Sequence, residues 1–423
     1  MLFLAGVALR ATALPLAGVR DMRDFKVWTY NAATLGPTEV YGNGGWPPRW
    51  RTLTYGRVSS RADYPPLALG ELAVVGRLYR GLFPAFPDTT ALVVAIKLLV
   101  VVADVALAAL IFRAVRSRAG VGAGRWAAAA FWANPAVLLQ GAVLGYLDPL
   151  FALPAVGAVV AASSGMAAAA GALLAVSCLT KPQGILVLPA VALALSPLAA
   201  GQWRALRSAA FAAGLVSIAC VAPLIYADGF LNMCVAVAHL LTDGWLSANA
   251  LNIWWLASGG QLIGVKAFVA GAGANPSMWA TAVVALGASA VAAAVAWAMW
   301  HARGARDLPR MAALAAFTVH AYVILAVQVH ENHLYLALPF LAVVAATRRQ
   351  YRGLLFSVSA IAALNLDVFY GLGDGVGYQV PRGVTGIDLT VVLAVVNCLA
   401  LAWHAAVFRR EWASAPDALP AGS

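Results

Sequence analysis

Charge is the scarcest commodity in this sequence. Only 11% of its 423 residues are charged, whereas soluble domains carry roughly 25%. That shortage excludes an ordinary water-soluble globular chain. Acidic side chains are fewer than basic ones, 17 against 28, so the chain has a formal net charge of +11, nearly all of it arginine. A nucleic-acid partner would require those arginines to gather on one soluble surface. They fall instead in the breaks between apolar runs, which excludes it. Cysteine is rare too: Cys178, Cys220, Cys234 and Cys398 form no CxxC pair and lie in or beside apolar segments, where buried packing accounts for them. A zinc-protease motif is missing, because the histidines of His330-Glu331-Asn332-His333 are spaced i, i+3 instead of i, i+4. The short alternating strands of a porin are missing as well.

What the chain does have is apolar length. Hydrophobic residues make up 62% of it and the mean hydropathy is +0.82. Backbone groups in lipid must be satisfied within their own segment, so runs of about 20 apolar residues are expected to be helices. About twelve such spans are expected, over residues 1–18, 92–112, 126–143, 148–164, 166–180, 182–199, 208–226, 278–300, 311–329, 334–347, 354–371 and 387–408. The first run lacks the basic leader of a signal peptide and is interrupted by Arg10, so it reads as a span.

Basic clusters at 113–125, 204–207, 303–310, 348–352 and 409–410 mark one side of the membrane as cytoplasmic. The other side then receives residues 19–91, 144–147, the Thr180-Lys181-Pro182 turn, 227–277, 330–333 and 372–386. Every unusual polar group falls there. The loop 19–91 is itself basic, but long loops translocate largely regardless of charge, and a basic external loop suits an anionic lipid phosphate.

Asp21, Asp24 and Trp28 are spaced i, i+3, i+7, which puts them on one helical face. With Phe25, Tyr30, Trp46, Trp50 and Tyr55 they form an aromatic-rich segment suited to the membrane interface. Its acids either face water or supply a general base. Asp63-Tyr64-Pro65-Pro66 sets an extended stretch in which Asp63 could cap the next helix. Lys181 breaks an apolar stretch; it either snorkels to the interface or binds a phosphate. Asp148 ends a hairpin on the same side. Glu331 is read as orienting a histidine in the 330–333 turn, and Asp104, inside a span, as packing against a neighbouring helix.

These breaks, taken in order, resemble the GT-C superfamily of polyprenyl-phosphate-sugar-dependent glycosyltransferases, and in particular the dolichyl-phosphate-glucose glucosyltransferases and their bacterial relatives. The resemblance rests on Asp21 seven residues before Trp28, Asp63-Tyr-Pro-Pro-Leu67, Ile96-Lys97 through Asp104, and Asn134-Pro135. It continues through Gly145-Tyr-Leu-Asp148, Thr180-Lys-Pro-Gln183, Asn252-Ile-Trp-Trp255 and Gln328-Val-His-Glu331. It implies one all-α polytopic GT-C domain over 1–423, whose first external loop carries short amphipathic helices and the catalytic Asp, with a second large loop at 227–277. Carried over residue by residue, Asp21 is the base, with Asp24 in reserve. Lys181, His330, His333, Glu331, Gln183 and Arg10 serve the donor phosphate. Asp63, Tyr64, Asp148, Trp28 and Trp254 serve the acceptor or shape the loop.

The implied reaction moves a hexose, glucose or mannose, from a polyprenyl-phosphate donor to a lipid-linked or cell-envelope glycan, with inversion and without a metal or other cofactor. The implied partners are that donor, the glycan or glycolipid acceptor and membrane lipids. The alanine-, glycine- and arginine-rich composition suggests a GC-rich bacterial genome, and the expected location is the bacterial inner membrane with the site facing the periplasm. A secondary transporter or lipid flippase is the alternative. Departures at His333 and at Tyr146-Leu147 bear on the donor sugar and the acceptor.

Overall fold

The computed structural model describes residues 2–196, 203–241, 244–273, 275–304, 306–373 and 381–412. Its helices are, in order, α1 (Leu2–Ala13), α2 (Met22–Thr34), α3 (Pro66–Leu82), α4 (Thr90–Trp132), α5 (Pro135–Leu138) and α6 (Asp148–Ser163). Next come α7 (Ala167–Thr180), α8 (Leu188–Leu195), α9 (Arg204–Tyr226), α10 (Phe230–Leu241), α11 (Ile253–Ala257) and α12 (Val265–Gly271). The series ends with α13 (Pro276–Ala302), α14 (Leu308–Leu325), α15 (Ala337–Thr347), α16 (Tyr351–Tyr370) and α17 (Leu389–Trp412).

Among the described residues, six helices are long and apolar enough to cross a membrane: α4, α9, α13, α14, α16 and α17. Shorter apolar helices of 10–17 residues lie at others of the expected positions, among them α1, α6, α7 and the 182–195 segment. The exposed faces of α9 and α13 carry Phe211, Ile218 and Leu286. Such a continuous apolar surface belongs in lipid. The expected span 126–143 is not one unit. The alanine-rich run continues α4 to Trp132, past a break at Gly120 (φ 84°, ψ 169°) that turns the helix on itself. Asn134 then caps α5 by accepting from the Ala136 amide at 3.0 Å, with Pro135 in its first turn, and a π-turn over Leu139–Val143 follows. A proline thus restarts the chain where hydropathy alone reads straight through.

The expected external loop 19–91 folds onto a core that it shares with α4, α6, α9 and α10. α2 and α3 pack around Phe25, Trp28, Leu69 and Leu72. A small antiparallel hairpin, β1 (Leu53–Tyr55) and β2 (Val58–Ser60), turns at Gly56 and stacks Tyr55 on Tyr30 with ring centroids 4.7 Å apart. A second hairpin, β3 (Gly383–Val384) with β4 (Ile387–Asp388), precedes α17. Of the expected external segments, positions 242–243 and 274 within 227–277 and positions 374–380 within 372–386 lie outside the described residues, as do positions 197–199 of the expected span 182–199.

The basic breaks converge at one end of the bundle. The guanidiniums of Arg310 and Arg348 lie 4.8 and 5.6 Å from the Trp412 ring, Arg348 pairs with Glu411 at 2.6 Å, and Arg352 covers Trp126. The polar breaks meet elsewhere.

Candidate active site

A cavity of about 430 Å³ is lined by residues from four separate stretches of the chain. Asp21, Asp24, Phe25 and Trp28 come from the start of α2; Trp50, Ser60, Arg61, Asp63 and Tyr64 come from the rest of the first loop. Lys181 comes from the break after α7, and His330, Asn332 and His333 from the 3-10 turn that leads into α15. His239 of α10 closes one side.

α2 delivers its two acids because its spacing is helical. Asp21 sits at its N-cap, without making a side-chain cap bond, and Asp24 and Trp28 follow on the same face. The strand of chain before it is tethered. Buried Lys97 donates to the carbonyls of Leu16 (2.7 Å) and Val143 (2.6 Å), and the Val19 amide donates to the Leu144 carbonyl at 2.8 Å. The approach is so close that a Cβ on Gly145, at φ 78°, would lie 2.5 Å from Met22 Cε. The flexible end of Met22 could give way, but the backbone angle is one that glycine alone adopts without strain.

Asp21 is half-buried, and its carboxyl is pushed up to about 6, first by burial and then by the negative charge of Glu331; His330 and Lys181 oppose the rise. Glu331 accepts from the Tyr146 hydroxyl at 2.5 Å. Lys181 is buried, and its Nζ lies 2.8 Å from Asp148 Oδ1 and 5.7 Å from the centre of the Tyr64 ring. Asn332 completes Asp148 by donating Nδ2 to Oδ2 at 3.1 Å. Gln183 Nε2 lies 3.2 Å from His333 Nε2, and the Tyr322 hydroxyl lies 3.4 Å from Nδ1, which holds the imidazole between them.

Beside this polar chamber runs an apolar groove of about 610 Å³, lined by Pro65, Leu179, Pro182, Leu186 and Val237 among others. The two are contiguous in sequence at Tyr64–Pro65 and Lys181–Pro182, and Gln183 lines the groove while touching His333 of the chamber.

Three expectations are corrected. Arg10 is remote from the chamber: its guanidinium stacks 3.6 Å over Trp132, donates to the Trp132 carbonyl at 3.1 Å and faces buried Asp104 at 3.7 Å. An arginine in an apolar helix needs an anion, and Asp104 is the one it meets, with the Tyr335 hydroxyl as that carboxylate's other partner at 2.6 Å. Trp254 does not line the chamber; its indole donates to the Leu325 carbonyl at 2.8 Å. Asp63 does not cap α3, whose N-cap is Pro65; it faces the chamber. Asp148 stands behind Lys181 as its counter-ion.

Sequence reasoning passed over Asn332, Arg61 and His239 as site residues. Trp50 was legible only as an interfacial aromatic; its ring lies 4.4 Å from that of His239 and 5.5 Å from the Arg61 guanidinium.

No family profile and no curated protein sequence matches the chain. Among solved structures it is similar to ArnT from Cupriavidus metallidurans bound to undecaprenyl phosphate, with TM-score 0.51 and 16% identity over 97% of this chain and 77% of that one. The same protein in the apo state gives 0.49 at 15% identity, over 97% and 76%. The Archaeoglobus fulgidus oligosaccharyltransferase tethered to an acceptor peptide gives 0.41 at 13% identity, over 98% of this chain and 55% of that one. The ArnT likeness runs through nearly the whole chain and shows the fold: this protein shares the helical architecture of that ArnT structure.

Proposed function

We propose that the protein is a membrane glycosyltransferase that moves a hexose from a polyprenyl-phosphate donor to a hydroxyl of a lipid-linked or cell-envelope glycan. One observation carries this reading: a carboxylate-bearing polar chamber opens beside an apolar groove at the residues that bear Lys181 and Gln183. A polyprenyl chain fits the groove, its phosphate fits the junction near Lys181 and the histidines, and the sugar fits the chamber.

In this reading the acceptor oxygen attacks the anomeric carbon as Asp21 takes its proton. The bond from that carbon to the phosphate oxygen breaks, and polyprenyl phosphate leaves with the bonding pair. The leaving group is already a weak base, so no strong acid is required. Lys181 and His330 offset its growing charge. A single displacement inverts the anomeric configuration. The step uses no divalent metal, so a chelator is expected to leave the rate unchanged. The chamber faces the side opposite the basic clusters, which for a bacterial inner membrane is the periplasm.

The transport alternative places a substrate site near the bilayer midplane, whereas here the acids, Lys181 and the histidines collect where loops meet. The test uses purified full-length protein supplied with polyprenyl-phosphate hexose and glycolipid acceptors. New glycosidic product of inverted configuration supports the reading. Translocation of intact lipid in proteoliposomes without sugar transfer would replace it.

A further inference from the structure

Tyr64 lines the chamber, and the residue after it, Pro65, lines the apolar groove. Its ring is buried and held from several sides. Phe25 and Trp28 pack on it with centroids 6.1 and 5.3 Å away, and Lys181 Nζ lies 5.7 Å from its centre. Its carbonyl accepts from the Tyr41 hydroxyl at 2.5 Å. Among the described residues this is the one hydrogen bond of Tyr64, so its own hydroxyl has no partner; unlike the indole nitrogen of Trp28, that hydroxyl is not sealed inside the protein. Burial raises the phenol well above its usual range, and the carboxylates of Asp148, Asp21, Asp63 and Glu331 add to the rise. Tyr64 therefore stays neutral and keeps a proton to donate. The chemistry above leaves that donor unused.

We infer that the Tyr64 hydroxyl donates a hydrogen bond to the phosphate of the lipid donor, which makes Tyr64 a catalytic residue beside Lys181. Position selects the phosphate as its partner. Tyr64 stands where the chamber and the groove adjoin in the chain, with its ring against Lys181, and this junction is where the proposed function seats the phosphate. Chemistry agrees, because phosphate oxygens accept and a neutral phenol donates. As the bond from the anomeric carbon breaks, its electron pair goes to the phosphate oxygen, and the hydrogen bond strengthens with the growing charge. The proton stays on Tyr64, and polyprenyl phosphate leaves as the anion. The inference rests on the proposed function and gives Tyr64 a contact with the leaving group, where the family resemblance implied one with the acceptor or a role in shaping the loop.

The test is single-turnover transfer by the full-length protein in nanodiscs, from polyprenyl-phosphate hexose to a glycolipid acceptor. Tyr64→Phe keeps the ring and removes the hydroxyl. It is expected to lose about 10²-fold in rate, the order for one donor to a developing anion, with Tm little changed and the acid limb of the pH profile where the wild type has it. An unchanged rate overturns the inference. So does a displaced acid limb, which would make the hydroxyl a partner of Asp21 instead. Wild-type protein that transfers no sugar overturns the proposed function itself. A second measurement reads the contact directly and does not depend on how Tyr64→Phe folds. With 3-fluorotyrosine at position 64, which keeps the hydroxyl, the fluorine resonance is expected to move on addition of polyprenyl phosphate and not of polyprenol. The same shift with both lipids, or none with either, overturns the inference.

Discussion

Lys181 Nζ and Asp148 Oδ1 lie 2.8 Å apart in the floor of the chamber, both almost fully buried, although 33 residues separate them in the chain. A charge so placed survives only while its partner does. Asp148→Ala leaves Lys181 without its counter-ion and Asn332 without its acceptor, and is expected to cost about 3–5 kcal/mol of stability. Lys181→Met should cost a similar amount, and the double replacement less than the sum of the two. Thermal unfolding of the three variants in one detergent measures this; strictly additive losses would show that the pair is not coupled.

The pH dependence follows from Asp21. Its carboxyl is raised to about 6, so it is a carboxylate able to accept a proton above that value and a neutral acid below it. The rate kcat/KM is therefore expected to fall as pH drops through about 6. Glu331 contributes to the rise, so Glu331→Gln lowers the Asp21 value and moves the acid limb to lower pH. A limb that stays in place in Glu331→Gln would mean that another group sets it.

The apolar groove makes a separate prediction. Val237 lines it and is not among the residues that line the polar chamber. Val237→Trp fills space that a lipid chain would occupy, and is expected to raise KM for a long-chain polyprenyl donor roughly tenfold, the order expected when burial of one or two methylenes is lost. A donor with a truncated lipid should be used almost normally. Equal losses on both donors would take the lipid out of the groove.

The parts of the site that were legible in the sequence are those that rest on local geometry. Asp21, Asp24 and Trp28 share a face because helical spacing demands it, and Lys181 and the 330–333 turn stand out because polar groups interrupt apolar runs. What the sequence hides is pairing at a distance. Arg10 is visible as a charge in a span, but Asp104 as its partner depends on how α1 lies against α4. Asp148 and Lys181 are each visible, and their ion pair is not. His239 and Arg61 carry no periodic or spacing signal, because α10 and β2 bring them to the chamber from separate loops. The break at Gly120 is hidden for a related reason: hydropathy measures how apolar a run is and not where its backbone turns.

The proposed mechanism stands or falls with Asp21 as the base. The most direct measurement is the single-turnover transfer rate of Asp21→Asn, with donor binding measured on the same preparation and Asp24→Asn alongside. Asp21→Asn is expected to lose about 10²–10⁴-fold in rate while still binding polyprenyl-phosphate hexose, and Asp24→Asn to lose far less. Full transfer by Asp21→Asn, or a loss confined to Asp24→Asn, would contradict it.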